Sequence, residues 1–92
     1  MDKAEARALL AQVIDELRRR SRAELLALSQ PECRELIGPS GHWYQVEAQS
    51  FWDDKPENNL RVLACIDDGG WRAFSPLCDD FIVAPDGSFV GE

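Results

Sequence analysis

The stretch that decides the fold is LRVLACIDDGGWRAF, residues 60–74. Apolar and polar side chains alternate on both sides of Asp68-Gly69, as they do in strands that bury one face. Asp-Gly between two such runs is the strongest short hairpin signal, because a type I′ turn needs positive φ at both central residues. The stretch therefore predicts two antiparallel strands joined at Asp68-Gly69. In that register Ile66 faces Trp71, and Ala64 faces Ala73.

The residues before this hairpin predict two more strands. His42 to Trp52 alternates with period two and is the longest predicted strand, and Glu32 to Ile37 predicts a short first strand. The residues between them, 38–41, have turn composition. If the next loop is centred near Pro56, the second and third strands align so that small residues meet. The result is a row of three alanines, Ala48, Ala64 and Ala73, which leaves a trough where a helix can pack.

The N-terminal third predicts helix. Asp2 followed by Glu5 resembles an N-cap with its acidic third residue, and apolar residues then recur at helical spacing, so a first helix is predicted from about Lys3 to Arg20. The pattern Ser21 to Glu24 predicts a second short helix, from Arg22 to about Leu28. Because its leucines also continue the first apolar stripe, one long kinked helix is the open alternative. The first stripe consists of Ala6, Leu10, Val13, Ile14 and Leu17.

After Phe74 the chain leaves the hairpin, because Pro76 cannot occupy a central strand. Asp79 to Ala84, the turn 85–87 and Ser88 to Val90 predict a small terminal hairpin. The predicted fold is therefore α+β. An N-terminal helix, or a helical pair, packs on one face of an antiparallel meander sheet of four to five strands.

Chain length and net charge restrict the number of domains and the classes of partner that we expect. The 92 residues predict a single domain, 1–92, with one thin core. The net charge of −7 is uneven, because residues 1–37 hold equal numbers of acidic and basic side chains and the whole excess lies in 38–92. That surface repels nucleic-acid phosphates and anionic membranes, so we expect neither as a partner. A basic protein is the electrostatic complement, although solubility alone explains the same charge.

The sequence also predicts a location. No apolar run approaches the roughly 18–20 residues that cross a bilayer, and the N-terminus lacks the apolar core of a signal peptide. Cys33, Cys65 and Cys78 are odd in number and show no C-x-x-C spacing. We therefore expect free thiols in a reducing cytoplasm, with Cys65 as a small buried apolar residue.

The second half of the chain carries a resemblance. Its motifs are FWDD at 51–54, IDDGGWRAF at 66–74, DDFI at 79–82, PDG at 85–87 and FVGE at 89–92. Together they resemble a family of small uncharacterised bacterial proteins, which implies a bacterial origin but no activity, cofactor or site. A helix followed by an antiparallel meander is also similar to cystatin-like folds. That similarity concerns layout alone, and no cystatin inhibitory motif is visible.

Catalytic chemistry finds little support in the sequence. A hydrolase needs a nucleophile, a base and a group that orients the base. The one histidine, His42, and Cys33 across the predicted 38–41 turn form the best pair, but a solvated turn histidine and a strand cysteine explain both. No glycine-rich phosphate loop occurs. We therefore expect no catalytic residues and a protein that is not an enzyme.

Three aspartate pairs, Asp53-Asp54, Asp67-Asp68 and Asp79-Asp80, fall at predicted strand ends. Clustered carboxylates can bind Ca²⁺ or Mg²⁺. Aspartate is also common in turns, however, and no D-x-[DN]-x-[DN]-G loop is present. We expect no metal and no cofactor, and keep a small-molecule or divalent-metal-binding domain as the alternative function. The arginines at 18–22 are expected to complete a helix C-terminus.

The second face of the predicted sheet is the candidate interaction surface. It appears in the sequence as an apolar centre with a polar rim. The competing prediction is that Phe81, Ile82, Phe89 and Val90 fold back and cover it. The sequence thus predicts a non-enzymatic interaction module, either a homodimer through this face or an acidic partner of a basic protein. The predicted surface residues are Trp43, Gln45, Glu47, Phe51, Arg61, Leu63, Arg72 and Phe74.

Overall fold

The computed structural model describes residues 2–69 and 76–92. Its elements are α1 (Lys3–Arg18), α2 (Arg22–Leu26), a 3₁₀ turn (Ala27–Ser29), β1 (Glu32–Ile37), β2 (Trp43–Trp52), β3 (Leu60–Asp67) and β4 (Leu77–Val83). The strands form one antiparallel sheet in the order β1-β2-β3-β4. Buried residues of both helices pack against one face of this sheet. The predicted α+β meander is confirmed. Neither described helix has the length and apolar character needed to span a membrane.

Capping hydrogen bonds explain where the helices begin. The Asp2 carboxylate accepts the Glu5 backbone N–H at 3.0 Å, as predicted. Ser21 and Glu24 form a reciprocal capping box at the start of α2. The prediction of two helices is confirmed, and the single kinked helix is wrong. The capping box satisfies donors at a new helix start, whereas a continuous helix would have satisfied them within its own backbone.

The alanine row is confirmed for its two described members. Ala48 and Ala64 are cross-strand partners, and both are fully buried. Ala73 lies outside the described residues. α1 packs beside β3 and β4, and its apolar stripe joins the inward side chains of the sheet in one cluster. The helical members of the core are Ala6, Leu10, Val13, Ile14, Leu17, Leu25 and Leu28. The sheet members larger than alanine are Tyr44, Val46, Leu60, Val62, Ile66, Phe81 and Val83.

The predicted pairing beyond β3 is wrong. Ala64 pairs with Asp79 and Ile66 pairs with Leu77, both on β4. The residues expected in those places, Ala73 and Trp71, lie outside the described part of the chain. The strand that completes the hairpin therefore begins later in the sequence than local alternation indicated.

The turn chemistry explains part of this difference. Gly69 has φ +75°, but Glu57 is the only described non-glycine residue with positive φ, so Asp68-Gly69 is not a type I′ turn. Asp67 instead accepts the Gly69 N–H at 2.7 Å. A side chain at Gly69 would also clash, because an added Cβ would lie 2.6 Å from the Trp43 ring. The glycine is thus needed both for its φ and for this close approach.

Phe81 and Phe89 of the C-terminal segment lie on the helical side of the sheet. Phe81 is buried in the core, and Phe89 meets it edge-on, with ring centroids 5.6 Å apart. The Arg18 guanidinium lies over both rings, and it pairs with Glu92 at 2.7 Å. The predicted terminal hairpin is confirmed by the bridge from Val83 to Phe89. The competing prediction that this segment covers the second sheet face is wrong.

A network of charged side chains joins the end of α1 to β1. Arg34 contacts Glu16 at 2.7 Å, and Arg20 contacts Glu16 at 2.7 Å and Glu32 at 2.9 Å. The hydrogen bond from Arg34 has the larger effect and the one from Arg20 the next, and together they lower the pKa of Glu16 to about 2. Arg18, Arg20 and Arg22 are thus structural in their contacts, since Arg18 pairs with Glu92 and Arg22 donates to the Asn58 carbonyl at 2.7 Å.

Acid is expected to remove the contribution of Glu16 to stability. Because the folded state lowers this pKa from 4.5 to about 2, the contribution is complete above about pH 4.5 and disappears as the pH falls towards 2. Melting temperatures of the wild type and Glu16→Gln should therefore differ at neutral pH and converge across this window. Asp15→Asn, exposed on the same helix outside the network, is the control. A difference that stays constant down to pH 2 would contradict the prediction.

Candidate functional site

The sheet face opposite the helices is here called the outer face. Alternation places every second strand residue on it, and cross-strand pairing arranges these residues in rows. One row holds Ile37 and Trp43, and the next holds Glu35, Gln45 and Asp67. The remaining rows are Cys33, Glu47, Cys65 and Cys78; then Gln49, Leu63 and Asp80; then Phe51, Arg61 and Ile82.

The structure brings most of the predicted surface residues together. Those on the outer face are Trp43, Gln45, Glu47, Phe51, Arg61 and Leu63. The four on β2 are exposed, and the two on β3 are half-buried. Arg72 and Phe74 lie outside the described residues. The shared face is thus an observation, whereas binding through it stays a prediction.

Among the described residues, the exposed apolar side chains of this face lie at its two ends, while Phe74, a member of the predicted apolar centre, lies outside those residues. Ile37 is 72% exposed and Trp43 40% exposed at one end, and Phe51 is 45% exposed at the other. Trp43 and Phe51 are eight positions apart on β2, which places them about 27 Å apart at about 3.4 Å per residue. The rows between them are mainly polar, although Leu63 and the Cys65–Cys78 disulfide lie among them. Because the sequence analysis left Ile37 out, it missed that apolar side chains collect at the two ends.

The outer face carries more negative than positive charge. Its carboxylates are Glu35, Glu47, Asp67 and Asp80. Arg61 is the one cation on this face within residues 2–69 and 76–92, and it is engaged by Asp80 and, at 2.7 Å, by Asp53. Among the same residues, Glu35 and Glu47 form no ion pair. The middle of the outer face is therefore an acidic zone.

The cysteines differ from the prediction. Cys65 and Cys78 are cross-strand partners and form a disulfide between β3 and β4. The expectation of free thiols, with Cys65 as a buried apolar residue, is wrong, because Cys78 belongs to a strand that begins at Leu77, two residues before its predicted start at Asp79. The bridge also counts against the cysteine argument for a reducing compartment. A cytoplasmic location stays a prediction.

Cys33 is the free cysteine of the described residues, and it is exposed. Its thiol donates to the Glu47 carboxylate at 3.7 Å. Desolvation and the Glu47 charge raise the pKa of Cys33, which disfavours the reactive thiolate. The environment of this thiol is therefore the opposite of the electropositive surroundings that activate catalytic cysteines.

Strand geometry separates Cys33 from His42. The Gly38 N–H donates to the His42 carbonyl at 2.8 Å, so His42 lies beside Gly38. Cys33 is five residues away along β1, which is about 16 Å at the rise of a strand. His42 Nδ1 instead lies 2.8 Å from Ser40 Oγ. The conceivable Cys-His pair is not formed.

Glu5 has a role that the sequence analysis missed. Its carboxylate accepts hydrogen bonds from Ser40 Oγ at 2.7 Å, Ser40 N at 3.0 Å and the Tyr44 hydroxyl at 2.8 Å. The hydrogen bond from the Ser40 hydroxyl is the main cause of the lowered pKa of Glu5. Desolvation, and next the hydrogen bond to Glu5, raise the pKa of Tyr44 to about 12. A Cβ at Gly38 would clash with Glu5 Oε1. Glu5 thus fastens the start of α1 to the β1–β2 turn.

The aspartate pairs take part in local contacts. Asp53 pairs with Arg61, and Asp54 accepts the Lys55 N–H and the Asn58 side-chain amide at 2.7 Å each. These contacts hold the loop 53–59. In the part of the chain that the structure describes, no three metal-ligating side chains come together around one point.

Comparison with protein-family models, with curated proteins and with solved structures found no match for this chain. The resemblance to small bacterial proteins and the similarity in layout to cystatin-like folds stay predictions.

Proposed function

We propose that the protein is a non-enzymatic interaction module that binds a basic protein through the outer face. The observation that carries this proposal is the acidic zone between two exposed apolar ends. In protein interfaces, buried apolar anchors supply most of the affinity, and charges select the partner and steer its approach. A nucleic acid or an anionic membrane is disfavoured by the same negative charge. Bacterial origin and a cytoplasmic location belong to the proposal, and cell fractionation tests the location.

Charge favours a basic partner over a second copy of the chain. Face-to-face pairing of two copies would bring Glu35 and Glu47 against the acidic zone of the other copy, and juxtaposed like charges cost several kcal/mol. Arg61 offers no compensation, because Asp53 and Asp80 already engage it. Sedimentation of the isolated protein is expected to show a monomer. Dimerisation that Glu35→Arg strengthens would favour the homodimer instead.

The dimensions of the face define the partner further. Trp43 and Phe51 require two apolar groups about 27 Å apart, with lysine or arginine between them. An amphipathic helix covers this distance in about 18 residues at 1.5 Å per residue. A basic helix with an apolar side chain near each end is therefore the simplest complement.

Synthetic helical peptides test this proposal directly. The matched peptide has 22 residues, with leucines near each end and lysines between, and the control peptide has the same composition with its leucines at the centre. Fluorescence anisotropy measures binding at low and high salt. We expect the wild type to prefer the matched peptide and to lose affinity as salt rises, because exposed charges are screened.

Charge-matched variants then locate the binding face. Glu35→Gln with Glu47→Gln should weaken the matched peptide about three- to tenfold and flatten its salt dependence. Asp15→Asn with Glu57→Gln makes the same charge change at exposed positions away from the outer face. This control pair should leave affinity unchanged. Equal effects of the two pairs, or no preference between the peptides, would overturn the proposal.

A further inference from the structure

The last residues of β2 have a strand neighbour on one side only. β1 has six residues and β2 has ten, and their pairing ends where Glu32 meets Ala48. Residues 49–52 continue alongside β3 without β1. The 3₁₀ turn Ala27–Ser29 lies close to β2, and the chain then passes through Gln30 and Pro31, which in the described part of the chain form no backbone hydrogen bond with residues 49–52.

The alternation of hydrogen bonds along β2 shows which of its backbone N–H and C=O groups lack a strand partner. The Asp53 N–H donates to the Asn59 carbonyl at 2.9 Å, and Gly38 donates to His42 at 2.8 Å. Odd-numbered residues of β2 therefore bond towards β3, and even-numbered residues point towards β1. Ser50 and Trp52 consequently direct their backbone N–H and C=O groups away from β3, at an edge where Ser50 is 7% exposed and Trp52 is half-buried. Within residues 2–69 and 76–92, these four groups have no hydrogen-bond partner.

A cavity of about 360 Å³ adjoins this edge. One polar group of the cavity lining already has a partner, because the Ser50 hydroxyl donates to the Leu25 carbonyl at 2.7 Å. The Arg22 guanidinium lies 5.7 Å from the centre of the Trp52 ring. What the cavity offers a ligand is mainly apolar surface. Its lining consists of Leu26, Ser29, Ser50, Phe51, Trp52 and Leu60.

We propose that this edge binds an extended peptide segment of the partner protein. The segment adds a short strand beside residues 49–52 and places one large apolar side chain in the cavity, which is the β-strand-addition mode of recognition. The proposal rests on the proposed function, in that the occupant belongs to a protein partner, and Phe51 connects the two surfaces because it also lies on the outer face.

The open backbone groups select an extended chain over other occupants. Ser50 and Trp52 are two residues apart on the strand, so their groups repeat about every 6.8 Å. An extended chain presents donors and acceptors with that repeat. A helix satisfies its own backbone, and a small apolar molecule has no donors, so either would leave these groups unpaired on burial, at a cost.

Amide hydrogen exchange tests the edge in the free protein. The amides of Gln49 and Phe51 are bonded to β3 and should exchange slowly, whereas those of Ser50 and Trp52 should exchange faster. Nuclear magnetic resonance resolves the four positions. Equal protection of all four would overturn the proposal, because the edge would then be occupied already.

A library of random eight-residue peptides displayed on phage supplies the probe. Selection uses the wild type, with depletion on Ser29→Trp, whose ring fills the cavity from an exposed position. Ala27→Trp, exposed on the same 3₁₀ turn but outside the cavity lining, is the matched control. Selected peptides should carry a large apolar residue, bind the wild type and Ala27→Trp alike, and lose at least tenfold on Ser29→Trp. Equal binding to both variants would count against the proposal.

Two further measurements use the selected peptide with the wild-type protein, so they do not depend on whether a protein variant folds. N-methylation of alternate peptide amides should abolish binding in one phase and spare it in the other, because only every second amide faces the edge. Bound peptide should also slow exchange at Ser50 and Trp52. Binding that survives both methylation phases, or that leaves these two amides unprotected, would overturn strand addition. A complex containing two copies of the chain would show that self-association fills the edge instead.

Failure of peptide binding at the edge can be distinguished from failure of helix binding at the outer face. The charge pair Glu35→Gln with Glu47→Gln should leave octapeptide affinity within twofold, whereas Ser29→Trp should leave the basic helical peptide within twofold. Different variants therefore test the two proposals.

Discussion

Replacement of Leu17 by alanine is expected to lower the free energy of unfolding by about 2–5 kcal/mol. Leu17 has no exposed surface, and it lies in the same cluster as the inward side chains of the sheet. The substitution removes apolar contacts and leaves a cavity that the neighbours fill only in part. Since a small domain has a total stability of roughly 5–15 kcal/mol, this loss is a large fraction. Urea denaturation followed by circular dichroism measures it.

A second leucine on the same helix provides the control. Leu9 is half-buried beside the core, so Leu9→Ala removes less buried area and should cost clearly less than Leu17→Ala. Equal losses would show that α1 is rotated from the orientation described here.

Removing the bridge between β3 and β4 has the other large expected effect. Cys65→Ala with Cys78→Ala should destabilise the protein by about 3 kcal/mol, because the bridge closes a loop of sequence separation 13 and restricts the unfolded chain. The urea midpoint of the wild type in dithiothreitol should approach that of the double variant. A midpoint that dithiothreitol does not change would contradict the prediction.

Cys33 separates the effect of the bridge from the effect of a free thiol. Cys33→Ala should unfold at the same urea concentration as the oxidised wild type and keep the response to dithiothreitol. Thiol titration under denaturing conditions should find one reactive group before reduction and three after it. Three groups before reduction would show that the bridge is absent in solution.

The sheet from β1 to β3 could be predicted from the sequence because two simple rules determine it. Alternation assigns each side chain to a face, and the length of the loop 53–59 aligns β2 with β3, so Ala48 meets Ala64 as predicted. The predicted strand Glu32–Ile37 has the observed bounds, and β2 begins one residue after its predicted start at His42. Local patterns suffice where successive strands are joined by short turns.

Beyond β3 the local pattern indicated the wrong partner. Asp68-Gly69 is the strongest turn signal in the chain, yet β3 pairs with residues that begin at Leu77. This pairing is supported by contacts that no local window contains, the Cys65–Cys78 bridge and the burial of Phe81 against the helices. The outer face shows the same limit. Its members follow from alternation, but the Glu5–Tyr44 contact joins residues 39 positions apart and has no local signature.

The length of β2 gives the protein two optical reporters. Trp43 begins the strand on the outer face, and Trp52 ends it beside the cavity, on the opposite side of the sheet. In a Trp71→Phe background, single Trp→Phe changes would leave one indole at each location. A basic helix on the outer face should then alter the emission of Trp43, and an extended segment at the edge should alter that of Trp52. Intrinsic fluorescence alone can therefore show in which order the two surfaces are occupied.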